Sequence, residues 1–397
     1  MIKFALRRNL RYPLQLLIWN TIRDIEKFLI KIFFDFNNSE IFCLLMFLGE
    51  LIAGLIFYLY NQKILAKDKK GKSLFFNLGN IKAKKRTVKD SKIKIMFLLF
   101  YASFLDLIQF TLFLHYSSFV TISNSLEQRF RGIFTIFLAF YYYYLLKFHI
   151  YRHQIFSLII IGVCILIIVI TEFIFQDIDI FLSYLQFFIA LILIFVILFI
   201  SSLGQTIEKY LIEVDELSPF YINTIEGTFG TILSLVYIIF YNSLYYISQK
   251  TKNLSILEFV FLILLFILYI ILSGGKNLFR LVTMKIFSPM TSAFMNYILN
   301  PFYIIFYFIS GNDFLSNGKS NYAYFIVNLI VSLVITFCSF VYNDFLILFC
   351  CGFERDTYNQ VSFRSISEVE LDILYNEEEE EQEENENADE KENGGLF

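Results

Sequence analysis

The feature that most constrains this 397-residue chain is a series of uninterrupted apolar runs, each about as long as a bilayer is thick. Nine are plain in the sequence: 41–60, 95–115, 119–146, 154–175, 181–203, 219–246, 256–279, 287–310 and 322–342. A helix rises 1.5 Å per residue, so about 20 apolar residues cross about 30 Å of hydrocarbon. So much apolar length cannot be hidden in a water-soluble core. Composition agrees: 57% of residues are hydrophobic and 17% charged, where soluble domains carry about 25% charge. Only four Pro and 16 Gly leave little turn vocabulary for a β-rich fold. The expected class is therefore an all-α polytopic membrane protein. The 50 Phe and 26 Tyr also fit the codon bias of an AT-rich genome, so they do not mark an aromatic site.

Residues 12–36 are a tenth, ambiguous run. Ile18, Ile22, Ile25, Leu29, Ile32 and Phe36 follow helical spacing, while Arg23, Asp24, Glu26, Lys27 and Lys31 fill much of the remaining surface. Alone, this is the pattern of an interfacial amphipathic helix. Charge bias across the whole chain favours a spanning helix instead. Residues 61–94 hold twelve Lys/Arg against two Asp, which marks a cytosolic loop rather than a nucleic-acid site. With that loop in the cytosol, eighteen basic residues fall on the cytosolic side and three (Lys250, Lys252, Lys319) on the other. Both termini are cytosolic only if 12–36 spans, with its charged face turned to other helices or a cavity. The two sequons, Asn37-Asn38-Ser39 and Asn253-Leu254-Ser255, then lie on the outer or lumenal side.

About ten transmembrane helices result, dividing five and five near residues 176–180, a count that suits two inverted five-helix repeats. The domain plan is a cytosolic N-terminus (1–11), a transmembrane domain (12–345) and a cytosolic acidic tail (346–397) that is largely disordered. Tyr358-Asn359-Gln360-Val361 in that tail has the form of a sorting signal, which makes cytosolic sorting factors candidate partners. Cys350 and Cys351 just before it suit palmitoylation. No Cys or His spacing suggests zinc, and neither a cofactor nor a nucleophile–base pair is indicated. The expected protein is not an enzyme.

Ionisable groups within spanning helices are costly and therefore functional candidates. Glu50, Asp106 with Gln109 a turn later, Arg131 and Glu226 are such groups. Arg131 offers a forked donor set suited to phosphate or carboxylate; its plain structural alternative is an internal pair with Glu127 or Asp106. Lys276 and Arg280, four apart, suit snorkelling to head groups or a cytosolic gate for anions. Glu208-Lys209 reads as a surface pair at a cytosolic mouth. Gly227 and Gly230 permit close helix contact. Pro301 predicts a kink.

Several of these residues stand in a familiar order: Met46-Phe47-Leu48-Gly49-Glu50, Arg131-Gly132, Glu208-Lys209, Glu226-Gly227 with Phe229-Gly230, and Tyr342-Asn343. Over roughly 41–345 the chain resembles the drug/metabolite transporter superfamily, closest to the F-branch of the solute carrier 35 (nucleotide-sugar-transporter-like) proteins. That resemblance implies ten helices in two inverted halves, cytosolic termini and alternating access around a central cavity, with nucleotide sugars among the cargoes of many relatives. The ninth span departs from the pattern. Ser292, Asn296 and Leu299 stand where relatives carry charges. Thr291, Ser292, Asn296 and Asn300 leave a hydrogen-bonding stripe that serves either substrate or helix packing. The functional expectation is a secondary carrier of a small polar or anionic metabolite, with Glu50, Asp106, Gln109, Arg131, Glu226 and Asn296 as substrate-binding residues. Its partners would be a small-molecule substrate and the bilayer, in an endomembrane such as Golgi, ER or vacuole/lysosome. The alternative is a non-transporting membrane scaffold or receptor acting through its cytosolic tail.

Overall fold

The computed structural model describes residues 2–4, 11–34, 39–67, 88–119, 130–147, 150–175, 181–215, 217–240, 254–310 and 322–348. These form α1 (Arg11–Phe34), α2 (Ser39–Lys67), α3 (Val88–Phe119), α4 (Gly132–Leu145), α5 (Arg152–Phe175), α6 (Phe181–Glu213), α7 (Pro219–Phe240), α8 (Ile256–Ile286), α9 (Pro289–Tyr297), α10 (Asn300–Ser310) and α11 (Tyr322–Tyr342). A short antiparallel ribbon joins β1 (Ile2–Phe4) to β2 (Leu346–Leu348), pairing Lys3 with Ile347. Among the described residues seven helices, α2, α3, α5, α6, α7, α8 and α11, are long and apolar enough to cross a membrane. The chain is thus a multi-pass helical membrane protein.

The sequence predicts most helices well but stops several too early. α6 continues from the expected end at 203 to Glu213, and α8 from 279 to Ile286. An apolar criterion ends at the first charges, here Glu208, Lys209, Lys276 and Arg280. In the fold those charges turn inward and the backbone ladder runs on. Of the expected run 119–146, Phe119 ends α3, residues 120–129 lie outside the described residues, and the helix runs over Gly132–Leu145. Leu346–Leu348, placed in the tail from sequence, is a strand.

α2 is wedged between α7 and α8, and glycine is the reason. A Cβ on Gly49 would strike Ile270 O and Gly274 N of α8, and one on Gly274 would strike Gly49 O. Toward α7, a Cβ on Gly227 would strike Leu51 N, and one on Gly230 the Phe47 ring. Two helix backbones approach this closely only where side chains are absent. Around this pair of crossings, α1 packs on α8, α3 on both α6 and α7, α4 on α5 and α6, and α5 on α11. Separate apolar clusters seal the seams. One joins Phe130, Leu138, Ile161, Ile194 and Ile335 from α4, α5, α6 and α11; another joins Leu99, Leu211, Ile222 and Leu281 from α3, α6, α7 and α8.

α1 settles the orientation of its two faces. Leu14, Ile18, Ile22, Ile25 and Leu29 all point outward, while Asn20 and Glu26 are buried. Trp19 lies over Gly275 of α8 and stacks on Phe279 with ring centroids 6.1 Å apart. The outer stripe is apolar and the polar face is turned to the bundle.

The ninth apolar run is interrupted. α9 starts at Ser288, whose side chain accepts from Thr291 N, with Pro289 in the first turn. Its last bond runs from Ile298 N to Phe294 O, and the ladder resumes with Tyr303 N donating to Leu299 O. Pro301 has no N–H to continue across the gap, so the expected kink is a two-helix break.

Candidate functional site

A polar cluster lies in the interior of the bundle, assembled from five helices around the α2 crossings. Glu50 reaches it from α2, Asp106 from α3, Glu208 from α6, Asn223 and Glu226 from α7, and Lys276, Asn277 and Arg280 from α8. Glu50, Glu208 and Glu226 are only 2–3% exposed. Glu50 stands between the two glycine crossings, so its position is fixed by backbone contact on both sides. Asn223 ties α7 to the same point: its Nδ2 donates to Glu50 O at 2.7 Å. One turn on, Ser103 of α3 donates to Glu226 O at 3.1 Å. Asp106 looks toward α6, where a Cβ on Gly204 would lie 3.8 Å from its Oδ1.

The cluster has two layers. Nearer the end where α6 and α8 finish, Arg280 forks onto Glu208, with Nη1 2.5 Å from Oε2 and Nη2 2.6 Å from Oε1. Arg280 Nε donates to Asn277 Oδ1 at 2.7 Å, so the guanidinium is held on three sides. Beside it, Lys209 donates to Met284 O at 2.6 Å and pairs with Glu213 at 2.6 Å. Lys276 sits a turn deeper than Arg280, about 15 Å from the end of α8 at 1.5 Å per residue. With Lys276 in this deeper layer are Glu50, Asp106 and Glu226. Among the described residues these four side chains make no hydrogen bond or ion pair, although each lies within electrostatic reach of Arg280.

α1 contributes a second charged group at the rim. Arg23 and Asp24 pair through Nη2 and Oδ1 at 2.5 Å, and Tyr303 of α10 donates to Asp24 Oδ2 at 3.5 Å. Arg131, half-buried just ahead of α4, is within electrostatic reach of Asp24 and Lys276.

Of the residues singled out from sequence, Glu50, Asp106 and Glu226 come together. Gln109 lies half-buried one turn along α3, and Arg131 approaches from the α1 side. Asn296 is on α9, but its side chain is outside the described residues, as is Glu127. Two expectations are revised. Glu208 and Lys209 are not a surface pair: both are 2% exposed and each has its own interior partner. Arg280 does not snorkel, because Glu208 holds it inside. The polar stripe of the ninth run serves packing at Thr291, which donates to Asn343 Oδ1 at 3.0 Å, and at Ser292, which donates to Pro289 O at 2.7 Å. Sequence reasoning missed Asn223 and the Arg23–Asp24 pair. The signal for Asn223 was available, since it lies three residues before Glu226 and so on the same face of α7.

Among the described residues no three His, Cys, Asp or Glu side chains are grouped to hold a metal ion. Elsewhere, His153 Nε2 lies 2.8 Å from Asp344 Oδ1 where α5 meets the end of α11. A narrow crevice of mixed character lies between α4, α5, α10 and α11, lined by Asn300, Asn328, Ser332 and Thr336 together with Ile168, Ile304 and Ile335 over Gly132. No family model matches this chain, and no curated protein matches it either.

Proposed function

We propose that the protein is a secondary carrier of the drug/metabolite transporter type that moves a small polar metabolite across an endomembrane by alternating access. One observation carries the reading: among the described residues the side chains of Glu50 and Glu226, fully buried, and of Asp106 and Lys276, half-buried, make no hydrogen bond or ion pair in the interior of the helical bundle. A purely structural polar core would satisfy its own groups, because each unpaired buried charge is strongly destabilising. Groups kept ready for a ligand are left unmatched.

The architecture supports it. Taking α9 and α10 as one interrupted span gives ten, with α1 crossing on its apolar outer stripe. Helix pairings then recur at an offset of five. α1 with α8 corresponds to α6 with α3; α2 with α8 corresponds to α7 with α3; α4 with α5 corresponds to α9 and α10 with α11; α2 with α7 and α5 with α11 map onto themselves. Two inverted five-helix repeats predict such pairing, and a broken helix beside the central site is common in carriers of that build. The β1–β2 ribbon pairs Ile2–Phe4 with Leu346–Leu348, which suits an even number of crossings and two cytosolic termini.

The decisive experiment is uptake by proteoliposomes containing the purified full chain, against a panel of nucleotide sugars, nucleosides, amino acids and organic amines. Saturable uptake of one class, abolished in D106N while the variant stays monodisperse, supports the reading. No uptake of any class by well-folded protein removes it. Deleting residues 354–397 separates it from the scaffold alternative, because a carrier keeps its transport without the tail.

A further inference from the structure

The crevice between α4, α5, α10 and α11 stands apart from the carboxyl cluster, and no ionisable side chain lines it. Its polar groups lie mainly along α11, where Asn328, Ser332 and Thr336 follow at four-residue spacing and so share one face. Ile168, Ile304 and Ile335 make the rest apolar. The free space is about 10 Å³, room for a single oxygen-sized group.

Two of the polar groups are unmet. Asn328 is 2% exposed, and its Nδ2 donates to Tyr324 O at 2.9 Å, which fixes the carboxamide. Its buried Oδ1 accepts no hydrogen bond among the described residues. One turn on, the Ser332 hydroxyl makes none either, whereas Thr336 Oγ1 already donates to Ser332 O at 2.9 Å. A buried amide oxygen without a donor is costly and calls for a partner. An ammonium would supply the donor but bury its charge with no counter-charge in the crevice. A carboxylate or phosphate would bring the same cost and no hydrogen for Oδ1. A neutral hydroxyl fits both groups: its O–H donates to Asn328 Oδ1, and its oxygen accepts from Ser332 Oγ.

The opening of the crevice decides what carries that hydroxyl. Of the lining residues only Thr336 is half-buried, and all the others are buried. Thr336 neighbours Leu333 and Phe337 on α11, which are 51% and 43% exposed. Because α11 is long and apolar enough to cross a membrane, an opening beside these residues meets hydrocarbon rather than water. We propose that the crevice binds a neutral membrane lipid whose head is one hydroxyl, namely a sterol. The hydroxyl bridges Asn328 and Ser332, and the ring system lies outside along Leu333 and Phe337. Diacylglycerol or ceramide would bring further polar groups, for which that outer apolar face has no partner. The site is independent of the carrier reading and needs only insertion in a bilayer.

The test uses the full chain in phosphatidylcholine nanodiscs and a photoreactive cholesterol analogue with its diazirine in the ring system. Cross-linked peptides are mapped by mass spectrometry, with competition by unlabelled cholesterol or by cholestene, the same hydrocarbon without the hydroxyl. The expected result is cross-linking within 322–342 that cholesterol suppresses and cholestene does not. N328L and S332A should each raise the probe concentration for half-maximal labelling by about 2- to 12-fold, the worth of one neutral hydrogen bond. S332A removes a single oxygen and reads the same bridge should N328L fail to fold. Absence of cross-links on α11, equal suppression by cholestene, or unchanged labelling of the monodisperse variants overturns the proposal and leaves the crevice with a water at most.

Discussion

Arg280 on α8 grips Glu208 on α6 through two parallel bonds of 2.5 and 2.6 Å, with Asn277 bracing the guanidinium from behind. Removing one partner strands a charge that is almost fully buried. R280A should therefore destabilise the detergent-solubilised protein by about 3–5 kcal/mol, the usual penalty for breaking a buried pair from one side. R280K should fall between the two, since an ammonium cannot span both carboxylate oxygens. Replacing both residues, as in E208L/R280M, should recover much of the loss. Thermal unfolding of the four proteins checks this; equal melting of R280A and wild type would mean that the pair does not hold α6 to α8.

The glycines of the α2–α8 crossing make a sharper contrast. G274A places a methyl group against Gly49 O and the Ala53 side chain, and α2 cannot retreat from it without being pressed into α7 at Gly227 and Gly230. Overpacking of this kind costs about 1–3 kcal/mol, and backbone contact sets this case at the upper end. G162A on α5 is the control, because its new Cβ would meet nothing nearer than Ile136 Cδ1 at 4.0 Å. Yield of monodisperse protein should drop for G274A and hold for G162A.

Much of this architecture was legible in the sequence because lipid imposes a length on every apolar run, and length is easy to read. The inward charges of α1 were legible for the same reason: Ile18, Ile22 and Ile25 repeat at helical spacing whatever lies behind them. What could not be read was partnership between distant helices. Glu208 and Arg280 are 72 residues apart, and nothing local distinguishes a buried ion pair from two cations and an acid at a helix end. The surface reading of Glu208-Lys209 failed on that point. Asp106 and Glu226 could be read as interior charges, but their convergence on Glu50 depends on the glycine crossings that bring α2 against α7 and α8. Gly227 and Gly230 announced close packing without naming the helix they would meet.

For α1, the outward stripe predicts a spanning helix in spite of its five charges. An N-glycosylation tag placed ahead of residue 11 should stay unmodified in microsomes. I22K puts a charge on the outward apolar face, where Ile22 is exposed, and should impair insertion by about 2.5–3.5 kcal/mol if the position lies near the bilayer centre. N20A, on the buried face, should insert normally. A glycosylated N-terminal tag would leave α1 on the surface and an odd number of crossings.

Lys209 offers a test of how unevenly one ion pair can be shared. Its side chain is 2% exposed, whereas that of Glu213 is 36% exposed, and the same Nζ also donates to Met284 O of α8 at 2.6 Å. Loss of the lysine therefore removes a charge-assisted bond across two helices, worth about 1.5–3 kcal/mol, and leaves a buried carbonyl without its donor. Loss of the glutamate charge leaves that inter-helix bond in place, and Glu213 already reaches solvent, so the pair itself contributes about 1 kcal/mol or less. K209M should accordingly lower the melting temperature well beyond E213Q. If the two variants melt alike, the carbonyl of Met284 is not what anchors Lys209, and the end of α6 is held to α8 by Glu208 and Arg280 alone.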